Sequence, residues 1–466
     1  MVKHSGNIHV IHKAGKVLVS PWQVIENGCI YVEKDIIIDV CSSSSDSVSE
    51  IFTDSESNFS VKNTPVKIID HGPGILMPAL VNAHTHFELS AMKGKIPFDR
   101  GFNGWVRELL EQREACGIDI LRQEARKAIE AALASGTSFF GEVSTLGITE
   151  DIFADSDIRG VWFQECLGTQ VPFNASRLHS YRNSSQQNNS HQLLSPASPE
   201  ILSSSISMVD HASEPLSSSF SMAGHAPHTT SPEILRRLKA QTKEAEIPFS
   251  IHVSESCDET EFITTTNTSA PAAGMHHDID ENCRQGNWAQ FLRERGINFS
   301  SWPVPSRSSV QYLYDMGILD PLTLAVHLLD VDIEDIEIIA KTGAKPVLCP
   351  RSNYNLHKRL PNIPLFLKYG LKPALGTDSL ASTDTLNMFD EMAFVAAHFP
   401  QINPCDILAM ATVNGADALG YGKIVGTLEK GKQADFLYIP LIKSGSYIED
   451  LIMGIISVGI TNDLNN

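Results

Sequence analysis

Cationic residues are in short supply: 36 Lys and Arg stand against 55 Asp and Glu in 466 residues, a formal net charge of -19. Surfaces that hold phosphate backbones need clustered Lys and Arg, so this balance argues against nucleic acid and other polyanions as partners. Long apolar runs are missing as well. No stretch reaches the roughly 18 to 20 residues that a membrane helix needs, and Met1-Val-Lys-His-Ser-Gly6 lacks the apolar region of a signal peptide. The expectation is a cytoplasmic protein with no membrane partner. Closely spaced cysteine pairs are also absent. Cys29, Cys41, Cys116, Cys166, Cys257, Cys283, Cys349 and Cys405 show no C-x-x-C spacing, which speaks against a disulfide framework or a zinc ribbon and reads as reduced thiols. What remains is a long chain, 42% hydrophobic, that can bury a large core; one large domain plus a smaller one is the natural division.

Against that background, Met77-Pro-Ala-Leu-Val-Asn-Ala-His-Thr-His-Phe-Glu88 stands out. Side chains alternate faces along an extended strand, so His84, His86 and Glu88 are expected on one side. Neutral imidazoles are good ligands for zinc or ferrous iron, and two on one short strand supply half a coordination sphere. Later segments repeat the design, each an apolar run ending in a titratable residue. Phe249-Ser-Ile-His-Val-Ser-Glu-Ser256 offers His252 as a third imidazole with Glu255 three residues on, and Leu322-Thr-Leu-Ala-Val-His-Leu-Leu329 offers His327. Leu371-Lys-Pro-Ala-Leu-Gly-Thr-Asp-Ser-Leu380 ends in Asp378, and Phe220-Ser-Met-Ala-Gly-His-Ala-Pro-His228 supplies His225 and His228. Buried titratable groups are rare unless paired or ligating, so five such strand ends imply one shared mouth. His84, His86, His252 and Asp378 would then hold one divalent ion. Imidazole and carboxylate suit both zinc and iron; zinc is taken first.

The hydrophobic period places these segments. Ile8 to Leu18 and Gly28 to Val40 read as strands of a small β domain, and Gly426 to Ile439, with a hairpin-like Gly431, returns to that pattern. The two chain ends are expected to pair. Between them, strand-like runs at 80–88, 138–143, 160–167, 220–225, 248–253, 322–328, 345–348 and 371–376 alternate with helical ones such as 120–134, which stops at Gly136. Eight alternating strands predict an α/β fold, a (β/α)₈ TIM barrel over 77–424, with a small β-sandwich domain built from 1–76 and 425–466. Active sites of such barrels form at the C-terminal strand ends, where the His and Asp residues fall. The Ser-rich stretches 42–60 and 176–219 read as exposed insertions, and His179, His191, His211, His276 and His277 as solvated; His71 reads as structural.

The order His84-Thr85-His86, His252 with Glu255, His327 and Asp378 resembles the amidohydrolase superfamily, and most closely its metal-dependent aminohydrolases. The likeness extends through Cys349-Pro-Arg-Ser-Asn353 and Leu375-Gly-Thr-Asp-Ser-Leu-Ala-Ser382 to Met410-Ala-Thr-Val-Asn-Gly-Ala416. It implies that the ion activates water, that Glu255 carries protons to the ring and the leaving amine, that His327 orients the water, and that Asp378 ligates and can take its proton. Binuclear members that open cyclic amides carry a lysine at the end of the fourth strand. Ala223-Gly-His-Ala-Pro-His228 has none, which favours one ion and deamination.

The segment around His84 together with Gly101-Phe-Asn-Gly-Trp105 is most similar to the branch of aminodeoxyfutalosine deaminases, with adenosine, methylthioadenosine and S-adenosylhomocysteine deaminases close by. A small adenine nucleoside is therefore the expected substrate. Glu88, Trp105, Arg107, His225 and Arg351 are the candidate substrate contacts, with Asn353 beside them: Arg107 to pair with a carboxylate, Trp105 to stack, His225 and Glu88 to bond the nucleoside. Homodimers are frequent in the resembling family. The alternatives on this scaffold are guanine, triazine or formimino aminohydrolases and chlorohydrolases, and, from another class, a barrel that binds without catalysis.

Overall fold

A computed structural model describes residues 9–42, 66–155, 158–169, 207–208, 218–264, 288–299, 302, 306–440 and 448–463. Most of the two Ser-rich stretches, and His179, His191, His211, His276 and His277, lie outside these residues.

The N-terminal segment folds as an antiparallel meander of β1 (His9–Ser20), β2 (Gln23–Glu33) and β3 (Ile36–Ser42). Its second turn is the two-residue link Lys34-Asp35, with φ of 47° and 62°. Positive φ at both positions matches the right-handed twist of the flanking strands. β4 (Val66–Asp70) and β5 (Ile75–Pro78) run parallel to β1. From the far end of the chain, β15 (Phe436–Ile439) pairs antiparallel with β5, so the two ends do share one sheet. The pair β9 (Ser207–Met208) adds to the outer side of β15. His71 belongs to this unit: its Nε2 lies 2.9 Å from His12 Nδ1 and its ring stacks on that imidazole.

The second sheet contains the eight expected strands: β6 (Leu80–Thr85), β7 (Thr137–Ser144), β8 (Arg159–Cys166), β10 (Ser219–Gly224), β11 (Phe249–Val253), β12 (Thr323–His327), β13 (Lys345–Leu348) and β14 (Ala374–Leu375). All pair in parallel with their neighbours, and β6, β7, β11 and β12 are buried at every residue. Burial on both faces explains their continuous rather than alternating apolar character. Helices cross between the strands. Ile118–Ala134 ends before Gly136, whose φ of +96° a Cβ would oppose, and Ile333–Thr342 starts on a capping box formed by Asp332 and Asp335. The last helix, Ile448–Asp463, packs on helices Met388–His398 and Pro404–Met410 rather than on the small sheet.

Closure of the barrel is made beyond β14, where Thr85 bridges Asp378 in parallel. Asp378 N donates to His84 O (3.1 Å), His86 N to Asp378 O (3.3 Å) and Thr85 Oγ1 to the same carbonyl (2.9 Å). Gly376 permits the approach: a Cβ there would stand 2.8 Å from both His84 Cβ and His84 O. The result is a closed TIM barrel with a small β domain carried beside it.

Among the described residues Cys29, Cys41, Cys116, Cys166, Cys349 and Cys405 are free thiols, whereas Cys257 is disulfide-bonded. The expectation of reduced thiols therefore fails at Cys257, because the absence of C-x-x-C spacing excludes only pairs three positions apart. No helix among the described residues is long and apolar enough to cross a membrane.

Candidate active site and metal centre

Strand ends bring His84, His86 and His252 together. His84 Nε2 lies 3.1 Å from His86 Nε2 and 3.2 Å from His252 Nε2, and Asp378 Oδ1 lies 3.9 Å and 3.7 Å from the first two. A tetrahedral ion with ligands at 2.0–2.1 Å separates its donors by about 3.3 Å, within the range spanned by these contacts. A single proton on His84 Nε2 cannot satisfy both neighbouring nitrogens, whereas a cation between them satisfies all. Burial, reinforced by the neighbouring imidazoles, holds His84 well below the usual histidine range, and burial pushes His252 down to about 3. The rings are therefore neutral, as ligands must be. Asp378 is aimed by its other oxygen, Oδ2, which accepts from Ser352 Oγ (2.5 Å) and Ser382 Oγ (2.9 Å) and leaves Oδ1 facing the imidazoles.

The backbone is bent to achieve this. Ser254, His327 and Asp378 have φ of 53°, 76° and 59°, a region that residues with a Cβ rarely enter and that costs about 1–3 kcal/mol each. All three sit at strand ends facing the cluster, so folding strain is spent on aim.

Beside the imidazoles lies an acid with a displaced titration. Glu255 is buried, and burial followed by the Asp378 charge pushes its carboxyl up to about 8. Its Oε1 is 3.7 Å from His327 Nε2. On the opposite edge of that ring, Asn353 Nδ2 donates to His327 Nδ1 at 3.2 Å; an amide nitrogen cannot accept, so the imidazole carries its proton on Nε2 toward Glu255. The turn holding Glu255 is fastened by Glu259, which accepts from Ser254 N (2.8 Å) and Glu255 N (3.1 Å).

Residues 75–457 match the model of the amidohydrolase family. The chain belongs to that family. This amidohydrolase is 26% identical over 380 residues to a 5-methylthioadenosine/S-adenosylhomocysteine deaminase of Saccharophagus degradans, covering 80% of this chain and 72% of the other. It is 25% identical over 358 residues to an aminodeoxyfutalosine deaminase of Deinococcus radiodurans, covering 75% and 74%. Among solved structures, the Helicobacter pylori aminofutalosine deaminase in complex with methylthio-coformycin superposes with a TM-score of 0.69 at 20% identity over 96% of each chain, a likeness of fold.

The expected substrate contacts separate into groups. His225 joins the cluster, its ring 5.0 Å from His252, and its Nδ1 is 2.6 Å from Thr229 Oγ1. Trp105 is buried against Phe102, ring centroids 6.2 Å apart, with Nε1 unpartnered. Glu88 is displaced from the expected strand face, because β6 stops at Thr85 and Phe87–Met92 turns as a 3₁₀ helix. Its carboxylate accepts from Thr145 N, Leu146 N and Ser144 Oγ at 3.0, 3.0 and 2.6 Å, which commits it to the next loop. Arg107 faces outward, paired with Glu294 at 2.7 Å and lying over the Phe291 ring. Arg351, in helix Pro350–His357, ties down the loop that follows β14 through Asp384 and Thr385 O.

Three residues at the site escaped the sequence reading. Arg113, two turns beyond Trp105 on helix Gly101–Cys116, sits 3.9 Å from Glu88 Oε1, and its charge helps burial and His86 to hold His225 down at about 3. Glu165, at the end of β8, places Oε1 3.7 Å from His252 Nδ1; the strand-end pattern that exposed His252 was available for it too. His357 closes helix Pro350–His357, with Nε2 3.9 Å from Glu255 Oε1; nothing in its local sequence marked it.

Proposed function

We propose that this amidohydrolase hydrolytically deaminates an adenine-containing nucleoside, with His84, His86, His252 and Asp378 holding one divalent ion, zinc first. The observation that carries the reading is Glu255: a carboxyl still protonated near neutral pH, set beside the three-imidazole cluster and against His327. A divalent cation at such a site lowers the pKa of coordinated water from 15.7 to about 7 and so supplies a nucleophile at neutral pH.

The chain's residues do the rest. Glu255 delivers its proton to the ring nitrogen next to the amino-bearing carbon and then has a carboxylate ready to collect one from the hydrolytic water. His327, with its Nε2–H directed at Glu255, positions that water and keeps Glu255 in line. Asp378 Oδ1 is the second base within reach: it would take the remaining proton from the water-derived oxygen and give it to the departing amine, so that ammonia leaves as the carbonyl forms. Burial of every member of the group keeps bulk water from competing. Relatives bearing methylthioadenosine, S-adenosylhomocysteine and aminodeoxyfutalosine deaminase names support an adenine nucleoside over a triazine or guanine.

The test is a panel of adenosine, methylthioadenosine, S-adenosylhomocysteine and aminodeoxyfutalosine, given to protein stripped with a chelator and to the same protein reloaded with zinc. Ammonia release and loss of adenine absorbance are expected only after reloading. Zinc-loaded protein that releases no ammonia from any of these compounds would remove the substrate assignment, and protein whose metal content stays zero on reloading would remove the metal centre.

A further inference from the structure

We propose that Glu259 is a positioning residue for proton transfer: its carboxylate clamps the Ser254–Glu255 turn and so fixes the Glu255 carboxyl against His327. The inference rests on the reading that Glu255 carries the protons.

β11 stops at Val253, and the chain then turns sharply at Ser254, whose φ is +53°. A residue with a Cβ keeps such a conformation only where its surroundings impose it. Glu259 supplies the constraint: its Oε1 accepts from Ser254 N at 2.8 Å and its Oε2 from Glu255 N at 3.1 Å. Successive N–H groups in a turn of this kind form a concavity for an anion, and the two oxygens of a carboxylate take one N–H each. An amide in its place would offer one acceptor and one donor, and the donor would meet an N–H. Glu259 is itself held. It is fully buried in the first turn of helix Cys257–Thr264, and its own N–H donates to Ser256 Oγ at 3.2 Å.

The carbonyl side of the same turn carries the clamp to His327. Ser254 O accepts from Leu329 N at 3.0 Å and from Asp330 N at 2.9 Å, and Val253 O accepts from Leu328 N at 3.0 Å. These donors follow His327 directly, in a stretch where His327 and Leu328 have φ of 76° and 49°. Ser254 thus joins Glu259 to the segment behind His327. The 3.7 Å between Glu255 Oε1 and His327 Nε2 is therefore set in part by a carboxylate on the next helix. Burial pushes that carboxyl up to about 7 against the hydrogen bonds it accepts, so assays run above that value read the anion.

The experiment compares wild type, Glu259→Gln, Glu255→Gln and the double variant, each zinc-loaded and given the nucleoside that wild type turns over. It adds crystal structures and amide hydrogen exchange of wild type and Glu259→Gln. Glu259→Gln should keep its zinc and lose kcat by about 10- to 100-fold with KM little changed, the scale of an ångström's misplacement. In the Glu255→Gln background the same change should cost less than about twofold, because a residue that acts through Glu255 has nothing left to act on. The variant's structure should show the Glu255 carboxyl moved away from His327, and its Ser254 and Glu255 amides should exchange faster. Should Glu259→Gln fail to fold, Ser256→Ala loosens the same clamp from its other end and should give the same pattern at smaller size. Equal losses in both backgrounds, or a kcat near wild type in the single variant, overturn the inference while leaving deamination intact. Absence of turnover of every adenine compound by zinc-loaded wild type overturns deamination instead; the structures and exchange rates then decide, and an unmoved Glu255 carboxyl counts against Glu259.

Discussion

Asp378 reaches His84 twice: its backbone N–H donates to the His84 carbonyl at 3.1 Å, and its side-chain Oδ1 stands 3.9 Å from the His84 imidazole. The contact that shuts the barrel and the contact that would complete the proposed ligand set therefore join the same two residues. Any change that widens the seam between β6 and β14 should be read in both stability and metal affinity.

Gly376→Ala is the direct way to widen it. A Cβ at 2.8 Å from two His84 atoms forces the strands apart. Overpacking of this kind costs about 1–3 kcal/mol. The variant should melt at lower temperature than wild type and bind zinc at least roughly tenfold more weakly, a scale typical of disturbed ligand support. A melting point and a zinc titration check it; unchanged zinc affinity in a destabilised variant would separate the two roles of the seam.

Glu255→Gln should keep its metal and fold and lose turnover by about 10²- to 10⁴-fold, because the amide preserves shape but cannot pass a proton. In wild type, the acid works only while protonated. With its carboxyl pushed up to about 8, kcat/KM should fall as pH rises through that value. Metal analysis, a thermal melt and a pH profile decide the matter; near-normal rates in the variant would move the proton-transfer role elsewhere.

Asp258 gives a pH dependence that belongs to stability alone. It is buried in the first turn of helix Cys257–Thr264, its Oδ1 has no hydrogen-bond partner, and burial followed by the Glu261 charge pushes it from 3.8 to about 7. Between those values the folded chain keeps a proton that the unfolded chain releases, so stability falls as pH rises from about 4 to 7. Asp258→Asn should leave the melting temperature unchanged near pH 4 and raise it at pH 8. An equal shift at both pH values would rule out this origin.

The barrel was legible because parallel strands covered on both faces appear as short continuous apolar runs, and five of the eight here end near a residue that cannot be buried idly: His84, His225, His252, His327 or Asp378. Strand ends are where such a pattern is most informative. It failed where the chain leaves the strand. Alternation put Glu88 beside His86, but the 3₁₀ turn after Thr85 carried it to the Thr145 loop. Helix Gly101–Cys116 offered Arg107 and Arg113 as equivalent cations, and only the packing of that helix decides that the former meets Glu294 and the latter Glu88. His357 follows a loop and a helix whose direction no local residue dictates.

One further consequence follows from the two residues of β9. The chain leaves the barrel after β8, lends Ser207–Met208 to the small sheet beside β15, and re-enters at β10. Since β5 and β15 also span the junction, the polypeptide is stitched across it at several points rather than strung through a single linker. Severing one crossing leaves the others in place, so neither lobe can be excised as an independent fragment by one cut, and the molecule is expected to unravel as a unit.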